Sequence, residues 1–142
     1  KITIAIGNIL KGKQDYITVG NLYSKRDWGY AKDYVNAMWL MLQQEKPEDF
    51  VIATNEQHSV KDFIEIAFNI VGINIIWKGS GLNEIGYDSK TNKVLVKIDE
   101  RYFRPSEVDT LLGDYSKAKK NLNWFPKTTF EELVKIMVEH DL

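Results

Sequence analysis

Val19-Gly20-Asn21-Leu22-Tyr23-Ser24-Lys25-Arg26-Asp27-Trp28-Gly29-Tyr30-Ala31-Lys32-Asp33-Tyr34-Val35 joins an apolar strand end to the chain's longest helical pattern. Between the two lie a tight Gly-Asn turn and a short charged and aromatic run, Lys25 to Trp28. The passage from strand to helix is where α/β proteins hold anionic ligands, because helix N-termini present unpaired backbone N–H groups. Arg26 has a planar fork suited to a phosphate or a pair of sugar hydroxyls, and Trp28 offers a ring to wall such a site. A strand end with an exposed Arg26-Asp27 pair fits the same pattern, and the pattern alone leaves both readings open.

Working outward, Ile2, Ile6, Ile9 and Leu10 form one helical face ahead of a Lys11-Gly12-Lys13 stop, and Tyr16 to Val19 is a short strand. Tyr30 to Gln44 reads as a helix whose second half, Met38-Trp39-Leu40-Met41-Leu42, is apolar nearly all round. Such a helix is expected to be buried on more than one side, with a further domain or subunit helping to cover it. Phe50 to Ala53 reads as a buried, parallel strand. Ser59 with Asp62 makes a capping box for a helix that ends at Gly72. Ile73 to Trp77 is a strand, and Ile85 to Tyr87 with Val94 to Ile98 form a hairpin around Asp88 to Lys93. Ser116 to Leu122 is a short helix. Thr129 and Glu132 cap a last one whose core face carries Phe130, Leu133, Val134 and Met137.

The chain of 142 residues fits one α/β domain, 1–142, and its formal charge of -1 argues against a general nucleic-acid binder. It contains no cysteine, so there is neither a disulfide framework nor a thiolate metal site, which is compatible with the cytoplasm. No apolar stretch is long enough to span a bilayer. The first residue is Lys1, already inside a helical pattern, and the chain reads as part of something larger.

Four features imitate sites. Gly79-Ser80-Gly81 has its next glycine only at Gly86 and no helix after it, so the phosphate-holding N-terminus is missing. Tyr115 and Lys119 have the spacing of a reductase Tyr-Lys pair but sit at a short helix start. Asp88 to Asp99 has the length of a calcium loop, with Lys90 at a ligand position and no central glycine. His58 and His140 are isolated from other metal ligands.

Asp99-Glu100-Arg101-Tyr102-Phe103-Arg104-Pro105-Ser106-Glu107-Val108-Asp109 is the second stretch that carries chemistry. Pro105 pushes Arg104 towards an extended backbone, and Glu107 lies three residues on, across the turn. A guanidinium for a diphosphate and a carboxylate for ribose hydroxyls are what a nucleotide-sugar requires. An Arg-Glu pair on a loop is the plain alternative.

Together, Gly20-Asn21-Leu22, the run Lys25 to Val35, Tyr102 to Asp109, Leu112-Gly113-Asp114 and Phe130-Glu131-Glu132-Leu133-Val134 resemble the GDP-mannose 4,6-dehydratase family of extended short-chain dehydrogenase/reductases. The resemblance covers the whole chain but only the C-terminal portion of the family. It implies a mixed α/β substrate-binding lobe, with the Rossmann domain absent from this chain. That missing part would bind NADP and carry the catalytic Thr, Glu, Tyr and Lys, so no catalytic or cofactor-binding residue is expected here. The implied reaction converts GDP-mannose to GDP-4-keto-6-deoxy-mannose, towards GDP-fucose, in an enzyme that forms dimers or tetramers. Carried over by position, Val19, Gly20 and Asn21 lie by the guanine and its ribose, and Arg26 reaches the nucleotide-sugar. Arg104 clamps the diphosphate, converging on it with Arg26, while Glu107 holds ribose and Lys1 contacts substrate. Another nucleotide-sugar dehydratase or epimerase of the superfamily, or a non-catalytic nucleotide-binding module, are the alternatives.

Overall fold

The computed structural model describes residues 1–108 and 110–142, so Asp109, at the end of the second motif, lies outside the described residues. In chain order the elements are α1 (Ile2–Leu10), β1 (Ile17–Val19), β2 (Lys25–Arg26), α2 (Ala31–Leu42), β3 (His58–Ser59), α3 (Val60–Ile70), β4 (Ile75–Lys78), β5 (Ile85–Asp88), β6 (Val94–Ile98), α4 (Ser116–Leu122) and α5 (Phe130–Asp141). Short 3-10 turns occupy Gly81–Asn83 and Glu100–Tyr102. The fold is mixed α/β, and the chain divides into two compact units, residues 1–24, 59–108 and 134–142 in one and 25–58 and 110–133 in the other.

The first unit is a four-stranded sheet of order β1-β6-β5-β4 with α1 and α3 packed on each other. β1 pairs parallel with β6, while β5 is antiparallel to both β6 and β4. β1, β6 and β4 therefore all run the same way and end together, at Val19, Ile98 and Lys78. Ile6, Ile17, Phe63, Ile64, Phe68, Val96, Val134 and Val138 fill the core. The α3 start follows the Ser59/Asp62 reading: Asp62 N–H donates to Ser59 Oγ at 3.0 Å and Ser59 N–H to Asp62 Oδ2 at 2.8 Å. These bonds satisfy donors that a helix start otherwise leaves unpaired.

The second unit is built around α2 and α4, where Ala37, Ala118, Leu122 and Trp124 are buried together. Trp124 is held by an N–H bond to the Asp33 carbonyl at 3.0 Å and by the edges of the Tyr34 and Tyr115 rings, 6.2 and 5.9 Å away. The Asp33 carboxylate in turn accepts the backbone N–H groups of Lys127 and Thr128. Residues 50–53, expected as a buried parallel strand, form no strand, and Val51 is exposed. No strand among the described residues pairs with the segment, which leads into Thr54, whose backbone and hydroxyl bond the Asp27 carboxylate at 2.8–3.0 Å. Phe50 and Ile52 pack on the α2–α4 cluster and Ala53 is buried, as expected of the segment. Met137 of α5, expected in the core, is exposed; Leu133, Val134 and Val138 are buried instead.

Candidate functional site

β1 and β6 are the parallel pair of this mixed sheet, and the chain leaves both strands at the same end. Elements of the first unit gather at that edge. The chain leaving β1 supplies Val19, Gly20 and Asn21, and the chain leaving β6 supplies Asp99 to Glu107.

Those two segments are bound to each other. Asp99 N–H donates to the Val19 carbonyl at 2.9 Å. The Asn21 side chain then spans Arg104 in both directions, its Nδ2 donating to the Arg104 carbonyl at 2.9 Å and its Oδ1 accepting the Arg104 N–H at 2.8 Å. Gly20 lies so close that a Cβ there would be 2.0 Å from the Tyr102 carbonyl oxygen, which only glycine avoids. Val19, Gly20 and Asn21, expected beside the nucleotide, thus also seat the segment that carries Arg104 and Glu107.

Arg104 itself is 78% exposed, and its Nη1 stands 3.9 Å from Glu107 Oε2, too far for a hydrogen bond. The i,i+3 pairing read from the sequence is therefore present, but it leaves the guanidinium facing solvent. Lys1 places its ammonium 3.6 Å from the centre of the Tyr102 ring, at the same edge. Asp99 caps the turn before Arg104. Hydrogen bonds from the Arg101 side chain and backbone hold its carboxyl down at about 2.

Sequence reasoning missed a polar network beside these residues. Tyr23 OH and Lys61 Nζ both donate to Glu84 Oε1 at 2.8 Å, and Glu84 is buried. Burial pulls the Lys61 pKa down, but the bonds to Glu84 and Tyr23 outweigh it and the group ends raised. Asn21, Tyr23, Glu84 and Phe103 line a cavity of about 140 Å³ there. Nothing local in the sequence links Lys61 with Glu84.

Arg26 belongs to the second unit, where it donates to the Lys25 carbonyl at 2.7 Å and lines a groove of about 410 Å³ with Tyr34, Val51, Leu111 and Leu112. Its convergence with Arg104 is an expectation of the resemblance. Trp28, expected as a wall, is pinned by an indole N–H bond to the His58 carbonyl at 2.9 Å and packs near Phe130. The His58 ring stacks on Phe130 at 3.8 Å, which gives this histidine a packing role. Burial first, then the neighbouring Asp27 carboxylate, raises the Tyr34 phenol. Gly113 touches Ala53, where a Cβ would stand 2.2 Å from the Ala53 methyl. Tyr115 is taken up by Trp124, and Asp88 by the Lys90 N–H and the Thr91 hydroxyl. Among the described residues no acid and histidine cluster suits a metal, and no helix is long and apolar enough to cross a membrane.

Residues 1–137 match the family described as GDP-mannose 4,6 dehydratase. The chain belongs to the GDP-mannose 4,6-dehydratase family. Over its full length it is 58% identical to GDP-mannose 4,6 dehydratase of Dictyostelium discoideum and 52% identical to that of Homo sapiens. It spans 40% of the first protein's length and 38% of the second's. Among solved structures, RMD from Pseudomonas aeruginosa complexed with NADPH superposes over 99% of this chain and 40% of its own, with TM-score 0.77 and 14% identity. The dTDP-glucose 4,6-dehydratase of Bacillus anthracis, in complex with NAD, covers 97% of this chain and 37% of its own, with TM-score 0.68 and 19% identity. The fold of this chain is thus shared with both of these proteins.

Proposed function

We propose that the complete protein dehydrates GDP-mannose to GDP-4-keto-6-deoxy-mannose, and that this chain supplies the grip on GDP. The observation that carries the reading is the exposed Arg104 guanidinium, mounted on a segment clamped by Asn21 at the sheet's carboxyl edge. Arg104 takes the diphosphate and Glu107 the ribose hydroxyls, the donor and acceptor chemistry each partner needs. The backbone of Val19 and Gly20 flanks the guanine and ribose. Lys1 and Arg26 add contacts to the nucleotide-sugar. Binding energy from this remote handle orients the hexose, which raises the rate of a step occurring elsewhere.

The catalytic Thr, Glu, Tyr and Lys lie in the remainder of the protein, as do the groups that hold NADP. NADP, held by that remainder, would supply reversible hydride transfer for the dehydration. We assign the complete enzyme to the cytoplasm as a dimer or tetramer.

Calorimetric titration of the complete protein with GDP-mannose, UDP-glucose and dTDP-glucose tests the reading. Preference for GDP-mannose supports it, and preference for a pyrimidine nucleotide-sugar overturns it.

A further inference from the structure

The loop leaving β1 carries both devices that seat the Arg104 segment, Gly20 and the Asn21 amide, and one residue of α3 grips that loop twice. Lys61 donates its backbone N–H to the Leu22 carbonyl at 2.9 Å and its ammonium to the Tyr23 hydroxyl at 3.0 Å. The same ammonium bonds Glu84 Oε1 at 2.8 Å, and Tyr23 donates its own O–H to that oxygen at 2.8 Å. The three groups close a triangle. Lys61 Nζ also stands 4.6 Å from the centre of the Trp77 ring, so the triangle is backed by β4. It borders the cavity of about 140 Å³, to which the loop contributes Asn21 and Tyr23 and the turn ahead of β5 contributes Gly81 and Glu84. The Tyr23–Glu84 bond ties those two segments together beside space into which the loop could otherwise settle.

We infer that Lys61 and Glu84 are positioning residues for the grip on GDP: acting through Tyr23, they set the orientation of residues 20–24 and hence of the Asn21 amide that aims Arg104. The inference rests on the role proposed for Arg104. The Lys61 and Glu84 side chains are 19 and 3% exposed, and a pair this buried adds little net stability, because lost hydration offsets the attraction. Its contribution is geometric. Leu22, 1% exposed, roots the loop in the core, but apolar burial is non-directional and leaves the loop free to turn about that point. Hydrogen bonds are directional, and those of the triangle fix the turn. Asn21 follows directly, since it lies one residue before Leu22 and two before Tyr23.

The test is Tyr23→Phe in the complete protein. It deletes one corner of the triangle, leaves the Lys61–Glu84 pair in place and alters a residue that is 62% exposed, so the fold survives. Hydrogen exchange at the Arg104 amide, which the Asn21 side-chain oxygen protects, is expected to quicken several-fold. The KM for GDP-mannose should rise several-fold with kcat nearly constant. Lys61→Met should move both readouts further, and Lys61→Arg, which keeps donors for both partners, should return most of each. Added to Asn21→Ala, Tyr23→Phe should raise KM no further, since both act through one clamp. Unchanged exchange at Arg104, or KM effects that multiply in the double variant, overturn the inference. A lowered thermal midpoint with exchange at Arg104 and KM both unmoved also overturns it, leaving the triangle a purely structural role. Arg104→Ala, measured alongside, reports on the functional reading: unaffected GDP-mannose binding there overturns the grip on GDP, while exchange at Arg104 in Tyr23→Phe still scores the triangle.

Discussion

Asn21 and Arg104 stand 83 residues apart, and the amide of the first pairs with the backbone of the second in both directions, at 2.9 and 2.8 Å. The arrangement imitates one rung of a β-ladder, with a side chain in place of a strand. It fixes where Arg104 leaves the backbone while leaving its guanidinium in solvent. Asn21 is thus a positioning residue for the arginine assigned to the diphosphate.

Asn21→Ala removes both bonds. Each is worth about 1 kcal/mol net, so the Michaelis constant of the complete enzyme for GDP-mannose should rise roughly tenfold or more while turnover changes less. Steady-state kinetics check this, and an unchanged Michaelis constant separates the clamp from substrate binding.

Gly20→Ala should destabilise the protein, because the new methyl would sit 2.0 Å from the Tyr102 carbonyl oxygen, a backbone atom that cannot rotate aside. Overpacking of this kind costs about 1–3 kcal/mol. Urea unfolding reads the loss, and weaker GDP-mannose binding should accompany it as the Arg104 segment shifts.

Ser59→Ala removes one half of the reciprocal cap on α3 and should cost about 1 kcal/mol of stability. A thermal scan measures it. Ser59→Asp, which keeps an acceptor at the helix start, should recover most of the loss.

Asp99 gives a pH prediction. Its folded pKa, about 2, lies below the ordinary 3.8 because Arg101 bonds its ionised form. A depressed carboxyl pKa stabilises the fold above the unfolded value, and that contribution disappears as pH falls from about 4 to about 2. Carbon-detected NMR titration should place the Asp99 midpoint near 2. A midpoint near 4 would remove Arg101 as its partner.

Much of the fold was legible because its signals are local. The Ser59/Asp62 box, the strand at Val94 to Ile98 and the Ser116 to Leu122 helix each lie within a few residues of their cause and are present, though the strand buries Leu95 beside Val96 instead of alternating. Residues 50–53 misled because a run of apolar side chains does not reveal whether a partner strand lies beside it, and none among the described residues does. Of the site, Arg104 and Glu107 were visible as a spacing, and the structure places them within 3.9 Å. The amide clamp of Asn21 and the Lys61–Glu84 pair join distant positions, so no window of sequence contains them.

The grip on GDP is tested most directly by calorimetric titration of GDP-mannose into the complete protein and its Arg104→Ala variant. Loss of a charged hydrogen-bond partner to the diphosphate predicts binding weakened by about 2–4 kcal/mol, with the circular dichroism spectrum and thermal midpoint unchanged. Equal affinity in the two proteins would contradict the account.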